Sequence, residues 1–166
     1  MNFMPSKLCL SVFLLWTVAE TCLFELWYEL NEHVGYDSVW YGLKPKGECR
    51  EDFLPRFRAK LMDPKEVVFV AAVDGQPVGM LIGSLIDRPK LLNQFKVLVI
   101  DTVVTTAKWR RKGIFRKLMA MATEEAKTSD VGAIDLGHID ASNPVRQAYE
   151  RLGFKCHEVA MLKYLK

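Results

Sequence analysis

Five cations stand between Lys108 and Arg116: Lys108, Arg110, Arg111, Lys112 and Arg116, with Gly113 among them. They follow an apolar run, Val97 to Thr105, and precede a stretch with Ile114, Leu118, Ala122 and Ala126 at spacings of four. That order reads as a buried strand, a basic turn and an amphipathic helix. The first amides of a helix lack intrahelical partners and carry roughly half a positive charge. Cations beside them, and a glycine that lets backbone come close, make a cradle for a polyanion, a diphosphate first of all. A single acid, Asp101, interrupts the strand. A carboxylate in an apolar strand is costly without a partner, so Asp101 is expected to face a wet cleft, where it can serve as a base.

The elements that must position these groups follow from patterning. Glu66–Val73 and Pro77–Ile86 flank Asp74-Gly75 and read as a β-hairpin. The central strand is expected over about 96–105, and the long helix over about 113–127. Ala133–Ile139 reads as a further strand. Asn143 is expected to cap a short helix with Pro144 in its first position and Gly153 past its end. Two short strands near Lys155–Glu158 and Ala160–Leu165 close the chain. Upstream, Leu8 to Trp16 reads as a first strand leading into a helix near Ala19–His33. It also imitates a signal peptide, with Thr17-Val-Ala19 as a cleavage site, but is too short for a membrane span. Glu51 to Met62 holds a second helix, with Pro55 placing its start near Phe53 or Leu54.

Two signatures resemble the GNAT superfamily of N-acetyltransferases. Arg110-x-x-Gly113-x-Phe115 after a strand is similar to the family's Arg/Gln-x-x-Gly-x-Gly/Ala loop. Phe115 departs from the usual Gly or Ala, and its ring could crowd a diphosphate or pack against the helix instead. Asn143-Pro-Val-Arg-Gln-Ala-Tyr149-Glu-Arg-Leu-Gly153-Phe154 is similar to the family's Asn…Tyr…Gly-Phe element. The resemblance covers about residues 60–166. It implies one α/β domain spanning 1–166, a mostly antiparallel mixed sheet flanked by helices and splayed between the central strand and the next. It also implies acetyl-coenzyme A as acyl donor and transfer to a primary amine.

What the resemblance implies for residues is specific. Arg110, Arg111, Lys112, Gly113, Ile114, Phe115 and Arg116 would hold the diphosphate. Strand amides at Val103, Val104 and Thr105 would meet the oxyanion and pantetheine arm, and Asn143 would join the coenzyme-binding set. Tyr149 would protonate the departing thiolate. Asp101 stands where many members carry a Glu base; His138, on the next strand, is its rival.

Composition closes other routes. Half the residues are apolar and 26% charged, an ordinary globular balance. A net charge of +3 with no basic tail argues against nucleic acid. Cys9, Cys22, Cys49 and Cys156 form no C-x-x-C pair, which points to reduced cytoplasmic thiols and no metal. No membrane partner is expected, and a monomer and a homodimer both remain open. A non-catalytic acyl-coenzyme A-binding module on the same fold is the alternative function.

Overall fold

The computed structural model describes residues 2–4, 13–35, 42–91, 96–137 and 143–157. Five strands form one sheet in the order β1-β2-β3-β4-β5. They are β1 (Asn2–Met4), β2 (Glu66–Val73), β3 (Gln76–Asp87), β4 (Lys96–Thr105) and β5 (Ala133–Leu136). The first four are antiparallel neighbours, and β5 joins β4 in parallel through the helix between them. Asp74 and Gly75 have φ of 51° and 75°, the positive values that a two-residue hairpin turn needs. Pairing of β4 with β5 runs from Val97↔Ala133 to Ile100↔Leu136. β4 continues to Thr105, so its last five residues lie past the described pairing. Residues 138–142, where the expected splay would show, lie outside the described residues.

Each face of the sheet carries a helical layer. Helix α3 (Ile114–Thr128) buries Ile114, Leu118, Ala122 and Ala126, the four residues that the sequence spacing aligns, together with Met119. They pack against Phe69, Leu81, Leu98 and Ile100. Helices α1 (Phe13–Gly35) and α2 (Lys46–Met62) cover the other face, where Phe24 and Phe57 meet Met80, Ile82 and Val104. A charged clamp joins α1 to α2. Arg58 donates from Nε and Nη2 to the two carboxylate oxygens of buried Glu20, at 2.8 and 2.7 Å. A carboxylate tolerates burial when a guanidinium forks onto it in this way.

Three expectations are corrected. Helix α1 begins at Phe13, so Phe13–Trp16 are helical, and the first strand is Asn2–Met4; residues 8–12 lie outside the described residues. A short apolar run does not separate strand from helix by periodicity. Helix α2 begins at Lys46 and carries Pro55 in its interior. The bond that Pro55 cannot donate is missing on a solvent-exposed face, while Phe53 and Phe57 on either side are buried and stacked at 5.4 Å. The core contacts outweigh the lost bond. Lys155–His157 are not in a strand, and the positions expected to form the last strand lie outside the described residues.

A β-bulge sets the aim of β4. Ile82 pairs with Thr102 while Gly83 pairs with Ile100, so Asp101 is the extra residue. Gly83 sits opposite this step, and a Cβ there would lie 2.7 Å from the Val99 carbonyl oxygen and 3.3 Å from Ile100 Cα. Both obstacles are backbone and cannot turn away. Gly83→Ala is therefore expected to cost roughly 1–3 kcal/mol, the usual range for overpacking. Urea unfolding reads it, and an unchanged midpoint would refute the tight bulge.

Candidate active site at the end of the central strand

Backbone contacts fix the path by which the chain leaves β4. Thr106 N–H donates to the Val78 carbonyl at 3.0 Å, holding the exit against β3. One 3-10 turn over Ala107–Trp109 follows. Arg111 (φ 61°) and Gly113 (φ 83°) then reverse the chain into α3. Gly113 is the N-cap residue; it offers no side-chain cap, and the first turn of α3 contains no acid. The initial amides of α3 thus keep their donors and the helix dipole for an outside acceptor. Arg111, Lys112 and Arg116 are exposed around them, while Ile114 is anchored in the core. The residues present fit a polyanion.

The cations are not equivalent. Arg110 is turned back: its Nε donates to the Thr105 carbonyl and its Nη2 to Glu29 Oε1 on α1, both at 3.1 Å. Lys112 Nζ lies 4.3 Å from the centroid of the Trp109 ring, a cation–π contact. Phe115 places its ring against Tyr149, with centroids 5.5 Å apart and planes at 71°.

Tyr149 is held from its other side by a helix end. In α4 (Asn143–Glu150), Phe154 N–H donates to the Tyr149 carbonyl and Gly153 N–H to that of Glu150, at 3.2 and 3.0 Å. With Gly153 at φ 91°, this is a Schellman motif, and the ring contact between Tyr149 and Phe154 at 5.9 Å is its usual apolar closure. Burial raises the Tyr149 phenol above its ordinary value, because the anion would lose hydration. The hydroxyl therefore stays protonated through neutral pH and suits a proton donor.

Asp101 lies on the other layer. Its carboxylate is 3.5 Å from both Lys60 Nζ of α2 and Ser84 Oγ of β3. Lys60 makes its shorter contact, 2.8 Å, with Glu66. The Asp101 side chain remains 46% exposed. Val103 and Thr105 are half-buried, and Val104 is buried against α1 and α2. His138 lies outside the described residues, as does the side chain of Asn143, the first residue of α4. The structure joins Phe115 to Tyr149 and leaves Asp101 on the opposite face of the sheet. Sequence reading missed Glu29, Lys60, Glu66 and Ser84 as neighbours of the site. Glu29 reads as part of an ordinary acidic face, and no spacing rule links it to a residue 81 positions away.

The profile of the acetyltransferase (GNAT) family matches residues 36–154. The chain belongs to that family. Among curated proteins no relative matches. Solved structures share the fold at low identity. The tetramutant of the BH1408 protein from Bacillus halodurans is 20% identical with a TM-score of 0.77, covering 99% of this chain and 100% of that one. Aminoglycoside 6'-N-acetyltransferase AAC(6')-Ig from Acinetobacter haemolyticus is 18% identical with a TM-score of 0.69, covering 100% and 99%. A predicted acetyltransferase with acetyl-CoA from Clostridium acetobutylicum is 17% identical with a TM-score of 0.69, covering 98% and 95%. Among the described residues no helix is long and apolar enough to cross a membrane.

If the turn before α3 binds the donor, acetyl-coenzyme A at a hundredfold excess over its Kd stabilises the protein by about 2.7 kcal/mol. For a domain of this size that is a rise in Tm of roughly 5–10 °C. Gly113→Asp is expected to erase the rise by placing an anion on the cradle. A wild type whose melting ignores the thioester at saturation would remove this assignment.

Proposed function

We propose that the protein is an acetyl-coenzyme A-dependent N-acetyltransferase acting on a primary amine by direct attack. The observation that carries this reading is the uncapped, cation-ringed start of α3, with Tyr149 packed on its first turn. The family match supports the same reaction class.

The chemistry divides among the layers. An alkyl ammonium has a pKa near 10.4, so at pH 7 only about one molecule in a few thousand is a nucleophile. Asp101, exposed at the bulge, takes the proton directly or through water. The neutral nitrogen attacks the thioester carbonyl, forming the C–N bond and an oxyanion, which amides of Val103–Thr105 stabilise. Collapse breaks the C–S bond and returns a thiolate, which takes its proton from the Tyr149 hydroxyl, while the attacking nitrogen gives up its second proton to water and the phenolate regains one from water. The amide and coenzyme A leave. Arg111, Lys112, Gly113 and Arg116 grip the diphosphate throughout. A base and an acid on opposite faces of the sheet match a reaction that removes a proton on the acceptor side and adds one on the donor side.

Tyr149→Phe keeps the ring contacts and removes only the hydroxyl. Single-turnover acetyl transfer is expected to slow by about 10²–10⁴, with donor affinity little changed. The defect is expected to shrink with a thioester whose thiol has a lower pKa. Because burial raises the Tyr149 pKa above its ordinary value, the phenol is expected to stay protonated, and the wild-type rate not to fall, in the alkaline range where a free tyrosine begins to ionise. An unimpaired Tyr149→Phe variant would take the residue out of the mechanism. Tight thioester binding with no transfer across a broad amine panel would identify a binding module instead.

A complementary measurement addresses Asp101. Asp101→Asn is expected to lose more turnover at pH 7 than at pH 9, where free amine is more abundant. If His138→Gln shows that pattern and Asp101→Asn does not, His138 is the base.

A further inference from the structure

We infer that Glu29 is a positioning residue for donor binding, and that Arg110 serves the diphosphate turn as a brace held by Glu29 and not as a direct phosphate ligand. The inference rests on the reading of the turn as the diphosphate site.

Glu29 Oε1 accepts two hydrogen bonds at 3.1 Å, one from the Ala107 N–H and one from Arg110 Nη2. Arg110 Nε reaches the Thr105 carbonyl, also at 3.1 Å. One carboxylate oxygen on α1 thereby ties the start of the 3-10 turn to the residue that ends it, and the guanidinium ties that residue to the last position of β4. The segment that these bonds enclose, Thr105 to Arg110, is the lead-in to Arg111 and Gly113, whose positive φ values aim the amides of α3. Both side chains are less than half exposed, at 35% for Glu29 and 45% for Arg110, so the pair is partly shielded from solvent screening.

The two roles open to Arg110 make opposite forecasts. If its charge belonged on the diphosphate, Glu29 would compete with the donor, and removing the carboxylate would strengthen binding. If Arg110 is a brace, removing Glu29 frees both the turn and the guanidinium, and binding weakens. The geometry favours the brace. Arg110 spends Nε and one terminal nitrogen on the protein itself, while Arg111, Lys112 and Arg116 stand exposed beyond it. A guanidinium already forked between a carbonyl and a carboxylate has to give up both to turn outward.

The test compares two donors. Acetyl-coenzyme A carries the diphosphate, whereas S-acetyl-N-acetylcysteamine keeps the thioester and lacks it. With one accepted amine, kcat/KM is measured for each donor in the wild type, Glu29→Ala and Glu29→Gln. The expected result is a fall of about tenfold in the ratio of acetyl-coenzyme A to truncated donor for Glu29→Ala, carried by KM. Glu29→Gln keeps an acceptor for Ala107 but loses the charge, and is expected to fall in between. A ratio that rises shows Arg110 to be a phosphate ligand and overturns the inference. A ratio that stays constant while both donors decline shows a general structural role and overturns it too. A wild type that makes no distinction between the donors refutes the diphosphate turn itself, an outcome distinct from either.

Discussion

The constraint on which the site depends is one extra residue in β4: Ile82 of β3 pairs with Thr102 and Gly83 with Ile100, which leaves Asp101 between them. A bulge adds local twist and turns successive side chains toward one face. Here it brings the Asp101 carboxylate toward Ser84 and Lys60, on the layer of α1 and α2. The face taken by the carboxylate thus has its cause in the backbone of β4.

The sequence displayed this arrangement unevenly. The bounds of β4 and the face of α3 were legible because each rests on a local repeat, β-branched residues over ten positions and apolar residues every four. The turn was legible because a glycine and five cations between strand and helix have few other uses. The bulge was not legible, since one extra residue in Val-Ile-Asp-Thr-Val leaves composition and length unchanged. The start of α2 was misread for a related reason. A rule about Pro55 is local, while the stack of Phe53 on Phe57 that offsets the missing bond is tertiary. Ion pairs such as Glu29–Arg110 and Lys60–Asp101 join positions 81 and 41 apart, and a single sequence carries no trace of such a pairing.

Electrostatics at the turn illustrate how a count of charges misleads. Five cations suggest a uniformly positive loop, but the structure sorts them. Arg110 is neutralised by Glu29, and Lys112 is drawn over Trp109. The ion pair offsets one positive charge of the turn, whereas the cation–π contact leaves that of Lys112 in place. In exchange the backbone entering α3 is fixed, and fixed amides hold an anion more effectively than mobile ammonium groups do, since they lose no further entropy on binding.

Phe115, the one departure from the loop pattern, belongs to the same economy of position. With Gly or Ala at this place, the ring contact to α4 would be absent. The phenylalanine ring instead meets Tyr149 edge-on, and Tyr149 meets Phe154 in the same manner. Edge-to-face contacts align the positive rim of one ring with the negative face of the next, which gives them an orientation preference that aliphatic packing lacks. The Schellman bonds at Gly153 fix the backbone from which Tyr149 and Phe154 project. Two aromatic contacts and one helix end therefore leave the phenol little freedom, and the burial they produce raises its pKa. A ring that could have crowded a diphosphate supplies a wall against the proposed acid, linking the turn proposed to bind the donor to the residue proposed to protonate the thiolate.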